Sequence, residues 1–166
     1  MDVINALTDE LNFPLQTGEN IEVQYTDSGR LQLIFKAPVM EKYHKSEEEG
    51  AYFEFNQGIE VYFYDEKEKL ESLIKAGYAQ YFEKKSLWKA TDSVVARNVQ
   101  TDEQLNSEEI YWDQENKRIY SHVFTKITND EGVYFGEKGF ESDQNLENYK
   151  LFGSRGSVDV KDEELP

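Results

Sequence analysis

The chain has 166 residues, of which 38% are hydrophobic and 14% aromatic, and this size and composition fit one domain with a core of modest volume. Its formal net charge of −16 is repelled by the phosphates of DNA and RNA and by anionic lipid headgroups, which argues against nucleic-acid binding. The sequence contains no cysteine, so disulfides, thiolate chemistry and cysteine-ligated zinc are excluded. The 11 tyrosines and 10 phenylalanines, without long leucine or alanine blocks, favour β-strands.

Residues 1–20 are predicted to form an N-terminal arm that follows a removed export signal or anchor. Within this arm, Asp2–Leu11 carries apolar residues at a spacing that fits one or two helical turns before Pro14. A loosely packed arm without a helix is the other interpretation, and the sequence leaves both open. No run of apolar residues reaches the roughly 18 that a membrane-spanning helix requires.

Alternating apolar and polar residues predict a first hairpin after the arm. Its strands are Ile21–Tyr25 and Leu31–Ala37, and Asp27–Arg30 supplies the aspartate and glycine that a tight turn prefers. Because Pro38 has no backbone N–H to donate to a sheet, it is expected to end the second strand or to lie at an edge. The charged residues 41–50 are then predicted to form a loop.

Further strands are predicted at short, regular spacing, which is typical of an all-β chain. Tyr52–Phe55 and Ile59–Tyr64 are predicted to pair as a second hairpin around a turn at 56–58. Leu70–Phe82 is predicted to be one long strand, although its start also fits a helix, and residues 153–157 are predicted to be a turn. The remaining strands are predicted at Leu87–Ala96, Gln104–Trp112, Ile119–Thr128, Val133–Gly136, Tyr149–Phe152 and Val158–Val160.

One strand–turn–strand unit occurs twice in the middle of the chain. Tyr81–Glu83 leads through a polar turn to Leu87–Trp88, and Tyr111–Asp113 leads through a longer turn to Ile119–Tyr120. An earlier Tyr52–Glu54 suggests a third, more divergent copy. A repeat of about 30 residues that contains two short strands predicts stacked antiparallel hairpins, each of which needs its neighbours to bury its apolar face.

A search for catalytic and metal-binding motifs finds no set of residues that points to chemistry. The two histidines, His44 and His122, lie far apart and have no ligand pattern around them. Asp113, Glu115 and Asn116 lack the spacing and the glycine of a dedicated calcium loop. We therefore predict no catalytic residue, no metal, no cofactor and no enzyme activity, although counting alone leaves a glycosidase pair open among the 34 carboxylates.

Several short segments, in their order and spacing, resemble the LptC family of lipopolysaccharide-export proteins, which belongs to the wider OstA-like β-jelly-roll group. The resemblance covers about residues 20–160. The segments are Asp27–Leu31, Ala37–Pro38, Tyr52–Phe55, Gly58–Val61, Tyr78–Ala79, Leu87–Ala90, Ile110–Asp113, Ile119–Ser121 and Gly139–Gln144.

The resemblance implies an open, twisted β-jelly roll of two facing antiparallel sheets over residues 21–160, followed by the acidic tail Lys161–Pro166. It also implies a non-catalytic periplasmic bridge, tethered to the inner membrane, that holds the acyl chains of lipopolysaccharide between its sheets. The bridge would receive the lipid from the ATP-driven inner-membrane LptBFG transporter and pass it to the jelly-roll protein LptA. The net charge agrees, because an acidic protein should hold the acyl chains and leave the anionic headgroup in solvent.

Two sets of site residues follow. The lipid-binding positions are apolar residues that alternate with charged neighbours, and the partner-binding positions lie on the first strand, expected to meet the transporter, and near the C-terminus, expected to meet LptA. The C-terminal glycines either allow a partner's backbone to approach or simply serve turns. The lipid-binding residues are Val23, Leu33, Phe35, Phe55, Val61, Phe63, Trp88, Val94 and Trp112. The partner-binding residues are Ile21, Val23, Tyr25, Gly136, Gly139, Phe140 and Tyr149.

Two other functions remain as alternatives. A carbohydrate-active jelly-roll enzyme requires two carboxylates that face into a cleft at a catalytic separation, with exposed aromatic rings beside them. A closed lipid-binding barrel has no free sheet edges. The residues that line the interior distinguish these functions, because an apolar groove favours the bridge and an acidic cleft favours the enzyme.

Overall fold

The structure, a computed structural model, describes residues 17–158 and shows an all-β fold. Within that range there are fourteen strands and no α-helix, and Glu83–Lys85 forms a single 3-10 turn. The strands are β1 (Thr17–Asp27), β2 (Arg30–Ser46), β3 (Gly50–Phe55), β4 (Ile59–Tyr64), β5 (Leu70–Ala76), β6 (Tyr78–Phe82), β7 (Leu87–Asn98), β8 (Glu103–Asp113), β9 (Arg118–Ser121), β10 (Thr125–Asn129), β11 (Gly132–Gly136), β12 (Phe140–Asp143), β13 (Tyr149–Leu151) and β14 (Ser154–Val158).

The strands form one antiparallel meander that is folded lengthwise into two layers. We call each stretch of the chain that crosses both layers once a pass. The long strands β1, β2, β7 and β8 each form a pass alone, and each of the other passes consists of two consecutive strands, one in each layer. We call the layer that contains β3, β6, β9, β12 and β13 leaf A, and the layer that contains β4, β5, β10, β11 and β14 leaf B. Each pass pairs with the pass before it and the pass after it. The predicted open, twisted β-jelly roll of two facing antiparallel sheets is confirmed.

Each pass bends where it crosses from one leaf to the other, and we call this line the crease. The bends include residues 56–58 between β3 and β4, Gly77 between β5 and β6, and residues 137–139 between β11 and β12. In β7 the bend is a bulge at Asp92 and Ser93, whose φ angles are +68° and +56°. The Gly77 N–H donates to the Asp92 carbonyl at 2.9 Å, so neighbouring bends are joined along the crease.

The core lies between the two leaves. Along β4, Ile59, Val61 and Phe63 are buried and alternate with half-buried residues, which is the pattern of a strand with one inward face. Phe35 of leaf B contacts Phe55 and Trp88 of leaf A, with ring centroids 5.4 and 5.1 Å apart. The leaves are therefore held face to face by apolar side chains.

The predictions that Pro38 ends a strand and that residues 41–50 form a loop are wrong. β2 continues through Pro38 to Ser46, and only residues 47–49 form the turn. The register between β1 and β2 skips Pro38, because the crease falls there. The missing N–H of the proline therefore costs no hydrogen bond of the ladder.

The predicted second hairpin is also wrong, although both of its strands exist. β3 and β4 do not pair with each other; β3 pairs with β2 and β6, and β4 pairs with β2 and β5. The turn at 56–58 is a bend of the crease. Leu70–Phe82 likewise contains two strands, β5 and β6, that belong to one pass and are separated by Gly77.

The repeated unit corresponds to two hairpins, β6 with β7 and β8 with β9, as predicted. The strand pairing follows the match of letters, since Tyr81 pairs with Trp88 as Tyr111 pairs with Tyr120. The inward faces differ by one residue, because the buried pair of the second hairpin is Trp112 with Ile119. Tyr81, Trp88, Trp112 and Ile119 are all buried.

The chain ends also differ from the predictions. The predicted turn at 153–157 is wrong, because β14 occupies most of it and pairs with β11. β1 begins at Thr17, inside the predicted arm of residues 1–20. The predicted helical turns at Asp2–Leu11, most of the predicted strand Val158–Val160 and the acidic tail lie outside the described residues.

We predict that the close approach of backbones at the crease makes Gly58 far less replaceable than the turn glycine Gly29. Both have positive φ angles, +90° and +77°, but an added Cβ at Gly58 would lie 2.4 Å from the Ala76 carbonyl oxygen, whereas Gly29 has no atom within 4 Å. Gly29→Ala should lower the free energy of unfolding by about 1 kcal/mol, and Gly58→Ala by about 2 kcal/mol more. Urea unfolding measures both, and equal losses would show that the crease is not sterically restricted.

Candidate functional site

The predicted lipid-binding residues all lie on the inward faces of the two leaves. Their exposed fractions range from 0 to 6%. β1, β2, β4 and the second half of β7 bring Val23, Leu33, Phe35, Val61, Phe63 and Val94 to leaf B, and β3, the first half of β7 and the end of β8 bring Phe55, Trp88 and Trp112 to leaf A. These positions therefore share one interior, and their binding of lipid stays a prediction.

Aromatic rings fill the middle of this interior. Trp88 stacks on Trp112 with centroids 5.5 Å apart, and Phe63 of leaf B meets Trp112 edge-on at 5.4 Å. With the Phe35 contacts described above, these rings close the space between the leaves. An acyl chain can take this place only if the leaves move apart.

The turns between consecutive passes lie on the side opposite the crease, and we call this side the mouth. The leaves can separate only there. The two tryptophans reach toward it. The Trp88 indole N–H donates to Gln114 Oε1 at 3.1 Å, and the Trp112 indole N–H donates to Gln144 Oε1 at 3.1 Å. Both glutamines follow directly after strands of leaf A, at its mouth side.

Residues 144–148 connect β12 to β13 in leaf A and reach across the mouth to contact leaf B, and we call them the strap. The Asn98 Nδ2 of β7 donates to the Asn145 carbonyl at 2.8 Å, and the Ser72 hydroxyl of β5 donates to the Gln144 carbonyl at 3.4 Å. Leu146 is 1% exposed, so its side chain is inserted into the core. The strap thus covers part of the mouth.

Two carboxyl groups meet at the strap, that of the buried Glu71 on β5 and that of the exposed Glu147 on the strap itself. The register of β4 with β5 shifts after Phe63, which leaves Glu71 as an extra residue, and both Glu71 and Ser72 are buried. Burial, followed by a hydrogen bond to Glu147 and its charge, raises the pKa of Glu71 to about 7. Because the two side chains are in hydrogen-bond contact, they are closer than the ~5 Å that separates the carboxyl groups of a retaining glycosidase.

Tyr149 makes another link across the mouth. Its hydroxyl donates to Glu103 Oε2 at 2.6 Å, and Glu103 begins β8 in leaf B. Burial, followed by this hydrogen bond, raises the pKa of Tyr149 above its usual value. Tyr149 is a predicted partner-binding residue on β13, which pairs only with β12 among the described strands.

The other predicted partner-binding residues fall into two groups. Ile21 and Val23 are buried and Tyr25 is half-buried on β1, which pairs only with β2 within residues 17–158. Gly136, Gly139 and Phe140 lie one pass before the last, and Phe140 is buried. A Cβ at Gly139 would lie 2.0 Å from the Ser121 carbonyl oxygen, so this glycine serves the crease of its own chain.

The remaining candidates show no sign of a metal site. In the part of the chain that the structure describes, no group of three or more histidine, aspartate or glutamate side chains lies close enough to hold a metal ion. Asp113 accepts hydrogen bonds from the backbone and side-chain nitrogens of Asn116, which closes the turn. His44 and His122 are exposed. Among residues 17–158, no helix has the length and apolar character to cross a membrane.

Sequence reasoning missed the strap and the groups that hold it. Leu146 is the one aliphatic side chain among the polar residues 143–148, and this isolated leucine was the available signal. Glu71, Glu147 and Asn98 carried no such signal, because their importance depends on a contact between passes that are distant in the chain.

Two comparisons with known proteins give no match for the chain. No protein-family model matches it, and no curated protein matches it. The geometry of the interior, the mouth and the edges is therefore the basis for a functional proposal, together with the resemblance noted in the sequence.

We predict that the ring contacts between the leaves supply much of the stability. Phe35→Ala should lower the free energy of unfolding by about 3–5 kcal/mol, because it leaves a cavity beside Trp88 and Phe55. The control is Tyr43→Ala, which removes a ring 38% exposed that stacks on Tyr52 on the outer surface. The control should cost about 1 kcal/mol or less. Urea unfolding compares the two, and a similar loss for both would contradict the closed core.

Proposed function

We propose that the chain is a non-catalytic periplasmic bridge for lipopolysaccharide, tethered to the inner membrane in the complete protein. It binds the acyl chains between its leaves and passes the lipid from the ATP-driven LptBFG transporter to an LptA-like jelly-roll protein. The observation that carries this proposal is the shape of the sheet: apolar inward faces follow one another from pass to pass, and the first and last passes leave edges unpaired within residues 17–158.

The distribution of charge supports an acyl-chain ligand. Glu22, Lys36, Glu60 and Lys75 occupy paired positions on neighbouring strands of leaf B and point outward, with alternating sign. The Lys75 ammonium lies 3.9 Å from the Glu60 carboxylate. The inward positions between them are apolar. A lipid with an anionic headgroup is then held by its hydrocarbon, at about 0.8 kcal/mol per buried methylene, while the headgroup stays in solvent.

Lipid binding requires the leaves to open at the mouth. The leaves share β1, β2, β7 and β8, so they stay joined at the crease and can part only on the opposite side. Acyl chains that enter there replace ring–ring contacts with ring–methylene contacts, so apolar surface remains covered in both states. The exchange costs little if the incoming hydrocarbon fills the space that the leaves vacate.

The free edges support partners of the same architecture. Within residues 17–158, β1 leaves one edge of the sheet unpaired, which would meet the transporter, and β13 and β14 leave the other edge unpaired, which would meet LptA. Unpaired backbone N–H and C=O groups promote strand addition, and addition at both ends would join the interiors of successive proteins into one path.

We predict that lipopolysaccharide is captured by inward positions and not by their outward neighbours. A photoreactive benzophenone amino acid replaces Phe63 or Trp112, which are buried, and in the controls replaces Tyr62 or Tyr111 on the outer face. Only variants whose midpoint of urea unfolding equals that of the parent protein are mixed with purified lipopolysaccharide and irradiated. Adducts at Phe63 and Trp112 alone support the proposal, and capture at neither set, or equally at both, rejects it.

We predict that the C-terminal edge contacts LptA. The photoreactive residue replaces Lys150, which is exposed on the edge strand β13, and in the control replaces Lys126, which is exposed on β10 between two paired neighbours. An adduct with purified LptA at Lys150 and none at Lys126 is the expected result. The reverse pattern, or no adduct at either position, would remove this edge as the docking site.

A further inference from the structure

The strap covers part of the mouth, and its Glu147 contacts Glu71 of leaf B. This arrangement suggests that the contact controls access to the interior. We propose that residues 144–148 are a gate over the mouth, held shut by a proton that the carboxyl groups of Glu71 and Glu147 share. When the proton leaves, the gate opens and Leu146 withdraws from between the leaves. The role of the gate in lipid passage rests on the function proposed above, whereas its opening does not.

The strap is a turn held by hydrogen bonds among its own residues and the preceding Asp143. Asp143 accepts hydrogen bonds from the Glu147 N–H at 2.9 Å and from the Asn148 side-chain amide at 3.1 Å. The Leu146 N–H donates to the Asp143 carbonyl at 3.1 Å. These contacts lie within the segment 143–148, and none of them joins the strap to leaf B.

Leu146 is held in a backbone conformation that the docked position requires. Its φ angle is +59°, in the left-handed region that residues with a Cβ seldom adopt. Its side chain is buried in the core, and that burial offsets the cost of the conformation. A strap released from leaf B loses the burial of Leu146 and with it the compensation for this backbone conformation.

Among the contacts of the strap with leaf B, only the contact between the two carboxyl groups depends on a proton that either group can lose. The bonds from Asn98 and Ser72 to strap carbonyls, and from Tyr149 to Glu103, keep their donors at neutral pH. Ionised carboxylates only accept hydrogen bonds, so the contact between Glu71 and Glu147 requires a proton. Its loss converts an attraction into a repulsion between two negative charges.

The surroundings of Glu71 determine the direction of the pH dependence. Burial acts first, and the charges of Glu147 on the strap, Asp65 before β5 and Asp143 at the base of the strap act in the same direction. Together they raise the pKa of Glu71 from 4.5 to about 7. A raised pKa in the docked state means that docking is favoured at low pH and that this contribution is lost as pH rises from about 4.5 to about 7.

A thiol placed at Leu146 reports the opening directly. The chain has no cysteine, so Leu146→Cys carries a single thiol, and Lys126→Cys on the exposed face of β10 provides a reference whose ionisation varies with pH in a similar way. The ratio of the two rates of maleimide labelling should rise by about tenfold or more between pH 5 and pH 7. A ratio that does not change with pH would overturn the proposal.

Neutral substitutions identify the carboxyl pair as the cause. Glu71→Gln keeps the size of the side chain and a hydrogen-bond donor, so the labelling ratio should stay low and flat from pH 5 to pH 7. Glu115→Gln changes a carboxylate in the turn after β8 and should leave the rise intact. A rise that persists in Glu71→Gln, or disappears in Glu115→Gln, would refute the assignment.

Hydrogen exchange tests the same gate without altering Leu146. In the unmodified chain, a peptide over residues 144–148 should lose protection between pH 5 and pH 7, after correction for the intrinsic rise of amide exchange with pH, because the released turn is no longer held by the burial of Leu146. Unchanged protection contradicts the gate. If the strap opens but photo-crosslinking at Phe63 captures no lipid, the gate is supported and the proposed function fails. If protection of the strap does not change with pH but Phe63 captures lipid, the gate fails and the proposed function is supported.

Discussion

Packing of aromatic rings between the two leaves is the interaction on which the rest of the structure depends. Trp88 contacts Phe35, Phe55, Tyr81 and Trp112, and so joins strands of both leaves. Burial of each such ring contributes about 1.5–3 kcal/mol, and a leaf without its partner would expose all of them. The leaves are consequently stable only as a pair, which requires every pass of the chain to bend back across the same interior.

The bend explains which residues the chain places along the crease. Backbones approach too closely there for a Cβ at Gly58 or Gly139, and Pro38 is tolerated because the ladder is interrupted at that point. The same line joins the leaves through continuous strands and leaves the opposite side bridged mainly by side chains and the strap. Any opening of the interior therefore takes place at the mouth, which is the side where the polar and acidic groups lie.

The strap and the charged outer face follow from one physical requirement. Polar groups at the mouth need partners when the leaves are closed and solvent when they are open, and the hydrogen bonds of Asn98, Ser72 and Tyr149 satisfy the closed state. A net charge of −16 keeps the outer surface hydrated and leaves an apolar interior for hydrocarbon. This separation of charge from apolar surface suits a lipid whose headgroup remains outside.

The sequence by itself determined the strand content and the set of apolar side chains that share an interior, because period-two alternation is local: Val61 and Phe63 are buried as their spacing indicates. It did not determine pairing. Only the tertiary structure decided that residues 56–58 bend a pass and do not close a hairpin, and that β2 runs through Pro38, since both depend on which passes lie side by side. The contact of Glu71 with Glu147 was decided in the same way, because their positions in the sequence contain no information about the mouth that brings them together.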